Sequence, residues 1–193
     1  MTTANKVTIL RILLIPFFVL EVLYYVKNGH ELHRILALGT FATAAICDAL
    51  DGFIARRFNQ RSDLGTILDP LADKLLLVSG IVVLSFDRQP YLQSIPLAVA
   101  VTIIGRDILV VIGLGVVHLT VGKVIVRPHV LGKIATVLQM LMVVGILFKV
   151  PERWMTGLFY GAAICTGVSG LLYLLDGMKQ LSAHPSSNAK AKG

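Results

Sequence analysis

The sequence predicts an all-α integral membrane protein of six transmembrane helices. Three observations carry that expectation. Of the 193 residues, 55% are hydrophobic and only 15% are charged, against about 25% charged in a typical soluble domain. The mean hydropathy is +0.78. Six apolar segments, 7–26, 35–55, 67–86, 95–117, 130–149 and 154–175, each approach the ~20 residues that a spanning helix needs. This balance excludes a disordered chain, a disulfide-stapled secreted module and an ordinary cytosolic enzyme.

The elements follow in order. Arg11, Pro16 and Glu21 interrupt the first segment, and no small-residue cleavage site follows it. It therefore reads as a membrane-embedded helix and not a cleavable signal. Asn28-Gly29 closes the first gap, Arg57 to Asp63 the second and Asp87 to Pro90 the third. Gly122 to Pro128 fills the fourth gap and Pro151 the fifth. Residues 1–181 are expected to form one catalytic domain, and the Ser-, Ala- and Lys-rich stretch 182–193 a disordered basic tail. Cys47 and Cys165 sit in apolar stretches without a CxxC and read as buried small residues. Trp154 and Tyr24-Tyr25 read as interfacial anchors. Gly157-x-x-x-Gly161 could pack a helix of the same chain or of a partner.

The net charge is +7. With a cytoplasmic N-terminus, eleven Lys and Arg fall on the cytoplasmic side and five on the other, with Lys74 and Arg106 left near or within spans. That bias places both termini in the cytoplasm. Most of these cations set topology and face anionic membrane lipids. No nucleic-acid partner is expected.

Charges at membrane depth are rare and usually functional. Four carboxylates fall in one stretch: Asp48-Ala-Leu-Asp51-Gly52-Phe-Ile-Ala55-Arg56, then Gly65-Thr-Ile-Leu-Asp69-Pro-Leu-Ala-Asp73. Positions i and i+3 share a helix face, as do i and i+4. Asp48 and Asp51 therefore share a face at the end of span two, and Asp69 and Asp73 at the start of span three. The short basic linker must reverse direction, which brings all four to a polar cavity near the cytoplasmic interface. Converging carboxylates at low dielectric need a counter-charge. All-oxygen ligands suit hard cations, Mg²⁺, Mn²⁺ or Ca²⁺, and two such ions would hold a pyrophosphate. Gly52 and Gly65 leave room for a ligand, Arg56 can fork onto phosphate oxygens, and Ser62 could add a hydrogen bond. In the structural alternative, Asp69-Pro70 starts a helix and Asp69 and Asp63 cap it. That leaves Asp48, Asp51 and Asp73 unexplained.

The run Asp48-x-x-Asp51-Gly52-x-x-Ala55-Arg56, eight residues, Gly65-x-x-x-Asp69-x-x-x-Asp73 resembles the signature of the CDP-alcohol phosphatidyltransferase family at every specified position. Asn5-x-x-Thr8-x-x-Arg11 with Ile15-Pro16 resembles the opening of its bacterial phosphatidylglycerophosphate-forming branch, although Ala4 stands where Pro is usual. Gly132-Lys133-x-x-Thr136-x-x-Gln139 is similar to that branch's fifth-span motif. The resemblance implies a six-helix enzyme of the bacterial inner membrane with a cytoplasmic active site, commonly a homodimer. It would move a phosphatidyl group from CDP-diacylglycerol to an alcohol and release CMP. By position it implies Asp48, Asp51, Asp69 and Asp73 as ligands of Mg²⁺ or Mn²⁺, two ions in all, with Asp73 also the base. It implies Gly52, Arg56 and Ser62, with Asn5 and Thr8, at the CDP-diacylglycerol head.

The acceptor is less tightly specified. Glycerol 3-phosphate is a dianion and should need fixed cations. Arg106 inside the fourth apolar segment is the strongest candidate, joined by Lys123, Arg127 and Lys133. Arg106 could instead pair with a carboxylate elsewhere, and Lys133 could snorkel to the interface. Phosphatidylglycerophosphate-forming relatives usually carry Arg-Glu where this chain has Arg106-Asp107, and a second Lys at Ala135. CMP-forming cardiolipin synthases share the Arg-Asp pair and use phosphatidylglycerol, which makes them the second reading. A cation-coupled carrier is the reading from a different class.

Overall fold

The computed structural model describes residues 3–58, 63–86, 90–121 and 130–182, with side chains for 9–47, 72, 74–86, 90–113, 115, 116 and 130–178. The described residues form helices α1 (Thr3–Asn28), α2 (Glu31–Phe58), α3 (Asp63–Leu84), α4 (Leu97–Val121), α5 (Val130–Leu147) and α6 (Glu152–Ser182). There is no strand among them. The all-α expectation holds, and each apolar segment lies on its own helix. Three stretches, Ile9–Asn28, Val130–Leu147 and Glu152–Met178, are long and apolar enough to cross a membrane, and Lys74–Leu84 is a shorter apolar one. The tail from residue 183 lies outside the described residues.

Four helices, α1, α2, α3 and α6, begin earlier than their apolar segments. α2 starts at Glu31 and α3 at Asp63, because a helix end that leaves the apolar layer carries polar residues without losing its backbone bonds. The earlier start of α3 corrects one reading. Asp69-Pro70 is not where the third helix begins; both residues lie inside it.

The chain divides into two compact units: Met1–Ile95 with Met142–Met155, and Pro96–Leu141 with Thr156–Gly193. In the first, α1 packs against both α2 and α3. The buried residues recur at i, i+4 and i+7 on each helix: Phe18, Val22 and Tyr25 on α1, Ala37, Phe41 and Ala44 on α2, Leu77, Ile81 and Leu84 on α3. That spacing is one helical stripe. The rings of Phe18 and Phe41 meet at 5.5 Å, tilted by 50°. Gly29 ends α1 with φ of 70°, and its N–H bonds the carbonyl of Tyr25 at 2.8 Å, the left-handed stop that glycine makes without strain. A Cβ there would also lie 2.7 Å from the Tyr91 ring.

A polar clamp closes one end of this unit. Lys149 Nζ donates to Glu31 Oε1 at 2.6 Å, the Tyr25 hydroxyl to the same oxygen at 3.1 Å, and Arg34 Nε to Glu31 Oε2 at 2.6 Å. Arg34 Nη1 donates to the carbonyl of Leu147 at 2.6 Å, one of the groups the end of α5 leaves without a helical partner. Tyr25 is therefore not a membrane-interface anchor: it is 1% exposed and engaged with Glu31, whereas Tyr24 is 49% exposed. Beside the clamp, His33 Nδ1 and Glu21 Oε2 are 2.7 Å apart. The Lys149 ammonium, then the Arg34 guanidinium, hold the Glu31 carboxyl at about 2, down from its ordinary 4.5. Glu31 in turn raises Lys149. A depressed carboxylate stabilises the folded state fully above its ordinary value and loses that contribution as pH falls through the folded one. The melting temperature in detergent should therefore drop between pH 4.5 and 2, and Glu31→Gln should lose that part of the drop. The effect should be modest, because Glu31 is half exposed and solvent screens the pair.

In the second unit α4 begins after Pro96, whose carbonyl accepts from Val99 and Ala100 at 2.9 and 3.1 Å. Val99, Ile103, Ala135, Phe159 and Ala162 are buried, as are the polar Gln139, Thr166 and Ser169. Gln139 Nε2 donates to Thr166 Oγ1 at 3.0 Å, tying α5 to α6. A buried amide left without this partner would carry its full desolvation cost. Outward-facing apolar side chains abound: Val111 and Val130 are each 70% exposed and Leu97 is 68%. Lipid tails cover such a surface at no cost, whereas water would not tolerate so much of it.

Candidate functional site

The signature aspartates lie on two consecutive helices of the first unit. Asp48 and Asp51 fall on α2, with Gly52 and Arg56, and Asp69 and Asp73 fall on α3. Unbroken helix through both pairs gives each pair one helical face. The side chains of these residues lie outside the described residues, as do those of Asn5 and Thr8 on α1; Ser62 and Arg127 lie outside them altogether. Among the described residues, no group of three or more His, Cys, Asp or Glu is placed to hold a metal ion. The four signature carboxylates are the set that the sequence suggests for that role.

Arg11, the last polar residue of the α1 motif, is fully buried in the same unit. A guanidinium held at that depth requires compensation from its surroundings. Ala72, next to Asp73, is also fully buried, so α3 enters the packed interior where the signature ends.

The cationic candidate Arg106 is seen in full. It belongs to the second unit, on α4, with its side chain only 11% exposed. Nη1 donates to Asp107 Oδ1 at 2.7 Å, and the guanidinium carbon lies 5.3 Å from the centre of the Tyr173 ring on α6. Nε is buried without a hydrogen-bond partner among the described residues. Part of the guanidinium edge is thus neutralised by its neighbour, and part is a desolvated donor that an oxyanion could satisfy. The ion pair that Arg106 makes among the described residues is with its immediate neighbour and not with a carboxylate elsewhere in the chain.

The fifth-span motif acquires a structural account. Gly132 on α5 approaches the tip of Arg106: a Cβ there would lie 3.2 Å from Nη2. Thr136 Oγ1 donates back to the Gly132 carbonyl at 3.1 Å, and Gln139 bonds α6. Lys133 is exposed. Sequence reading passed over two residues of this constellation, Gly170 and Tyr173. A Cβ on Gly170 would lie 2.8 Å from Arg106 Cγ. The signal available was Gly167-x-x-Gly170-x-x-Tyr173, a three-residue spacing that keeps one helix face small and ends it in an aromatic ring. By contrast, a Cβ at Gly157 or Gly161 would meet nothing within 4 Å, so neither glycine packs a helix of its own chain among the described residues. Cys47 and Cys165 are both free thiols, and both are half-buried, not the fully buried residues their apolar stretches suggested.

A model of the CDP-alcohol phosphatidyltransferase family matches residues 1–169. The Escherichia coli K12 protein named CDP-diacylglycerol–glycerol-3-phosphate 3-phosphatidyltransferase is 35% identical over 175 residues, 86% of this chain and 90% of that protein. The Pseudomonas fluorescens protein of the same name is 41% identical over 110 residues, 57% of this chain and 53% of that one. A Mycobacterium tuberculosis protein named probable phosphatidylglycerophosphate synthase is 37% identical over 105 residues, 54% of this chain and 47% of its own length. The chain thus spans about half the length of the last two and nine-tenths of the first. On the family match and the Escherichia coli relative together, this chain belongs to the CDP-alcohol phosphatidyltransferase family.

Proposed function

We propose that the protein transfers the phosphatidyl group of CDP-diacylglycerol to a hydroxyl of glycerol 3-phosphate, giving phosphatidylglycerophosphate and CMP. The observation that carries this reading is the complete Asp signature on α2 and α3. The name of the relative matched over 90% of its length adds the acceptor. In the reaction the acceptor oxygen bonds the phosphorus next to the diacylglycerol, the phosphoanhydride bond breaks, and the electron pair leaves with CMP. Asp73 accepts the hydroxyl proton, a step that depends on holding the hydroxyl within hydrogen-bond reach. Arg56, Gly52 and Ser62, with Asn5 and Thr8, hold the CDP-diacylglycerol head. Arg106, Lys133 and Arg127 take the acceptor phosphate.

The donor chemistry of Asp48, Asp51, Asp69 and Asp73 fits hard divalent cations, because all four supply only oxygen. Two Mg²⁺ or Mn²⁺ ions bound there would neutralise the pyrophosphate and the charge that develops as it breaks. The same reading makes residues 1–181 one six-span catalytic domain followed by a basic tail. It places the protein in the bacterial inner membrane as a homodimer, with the active site and both termini cytoplasmic. Lys and Arg asymmetry supports the orientation.

One observation favours a second reading. Asp107 occupies one edge of Arg106, which lowers the charge available to a dianion and suits a CMP-forming cardiolipin synthase acting on phosphatidylglycerol. The test of the main reading is CMP release by purified protein given CDP-diacylglycerol and Mg²⁺ or Mn²⁺. Release should begin on adding glycerol 3-phosphate and stop with EDTA. No release with any alcohol would contradict a transferase and favour a carrier.

A further inference from the structure

We propose that α6 positions Arg106: Gly170 sets how the side chain leaves α4, and Tyr173 sets where its guanidinium lies. The inference rests on the reading of Arg106 as the acceptor's cation. Three contacts within the second unit support it. At the root of the side chain, a Cβ on Gly170 would lie 2.8 Å from Arg106 Cγ and 3.5 Å from its Cβ. At the tip, a Cβ on Gly132 would lie 3.2 Å from Nη2. Between them, the Tyr173 ring carries the guanidinium carbon 5.3 Å from its centre. Gly170 and Tyr173 are three residues apart and share one face of α6.

These contacts differ in what can yield. Nη2 is the far end of a flexible chain and can move a few tenths of an ångström past a methyl group at residue 132. Cγ is one bond from Cβ. A methyl group at residue 170 therefore forces a change of rotamer or a wider gap between α4 and α6, and either displaces the guanidinium. The ring of Tyr173 attracts the cation through its negative face, an interaction that strengthens where water is excluded. Asp107, bonded to Nη1, holds one edge of the guanidinium. Gly170 and Tyr173 are thus positioning residues, acting on the substrate through Arg106.

The test is a double-mutant cycle read on the acceptor KM, with CDP-diacylglycerol saturating. Gly170→Ala should raise the acceptor KM by about tenfold or more, a misplacement cost, and leave the CDP-diacylglycerol KM unchanged. Gly132→Ala should raise it less. In an Arg106→Ala background, Gly170→Ala should add nothing, because the remaining contact, at 3.5 Å to the Cβ of residue 106, is ordinary van der Waals distance. If Gly170→Ala does not accumulate, Tyr173→Leu carries the same cycle. It should raise the acceptor KM by about threefold to tenfold, with Tyr173→Phe restoring most of the affinity. An unchanged acceptor KM in Arg106→Ala would overturn the reading of Arg106 itself. A raised KM in Arg106→Ala, with Gly170→Ala silent or fully additive to it, would overturn the positioning role and leave that reading standing.

Discussion

Replacing Asp73 by Asn should abolish CMP release, lowering kcat by at least about a hundredfold, while the protein still folds. Asn keeps the shape of the carboxyl but removes both its charge and its capacity to take a proton. A positioned general base contributes about 10²–10⁴ in rate, and the loss of one anionic donor from the proposed all-oxygen metal set would add to that. Asp73 follows the fully buried Ala72 on α3, so an isosteric exchange tests the chemistry with little packing disturbance. Circular dichroism and thermal unfolding of the variant should match the parent. A variant that unfolds earlier but keeps most of its kcat would assign Asp73 a structural role instead.

Arg106→Ala should have the second largest effect. The acceptor KM should rise by about tenfold to a hundredfold, since a charge-assisted hydrogen bond in a desolvated setting contributes about 1.5–3 kcal/mol. The KM for CDP-diacylglycerol should stay within about twofold of the parent, because the loss falls on one substrate. The ion pair to Asp107 is largely buried, so the truncation will also cost stability. Arg106→Lys is the control: it keeps the charge and loses the planar fork, and should recover part of the affinity. Equal changes in both KM values would point to a collapsed site and not to a lost phosphate contact.

Much of this architecture is legible in the sequence, for identifiable reasons. The helices show because lipid demands long apolar runs and the chain marks its turns with Asn28-Gly29 and Pro151. The Asp signature shows because carboxylates in such runs need a reason to be there. Arg106 shows on the same ground. What the sequence hides is contact between distant segments. Glu31 and Lys149 are 118 residues apart and meet at 2.6 Å; no local pattern announces that pair. Tyr25 resembles an interfacial anchor until its partner Glu31 is known. The early starts of α2 and α3 escape an apolar-segment reading because polar first turns carry no hydropathy signal. Gly170 escapes for a subtler reason. A glycine within a span suggests close helix approach in general, and only the position of Arg106 Cγ shows what it makes room for.

The most direct test of the central claim is the identity of the acceptor. Purified protein with CDP-diacylglycerol and divalent metal would be given glycerol 3-phosphate in one reaction and phosphatidylglycerol in another. CMP would be quantified and the lipid products separated by chromatography. The expected result is CMP and phosphatidylglycerophosphate in equal amounts with glycerol 3-phosphate, and neither CMP nor cardiolipin above background with phosphatidylglycerol. Cardiolipin formation from phosphatidylglycerol, with glycerol 3-phosphate inert, would contradict the assignment and move this chain to the other branch of its family.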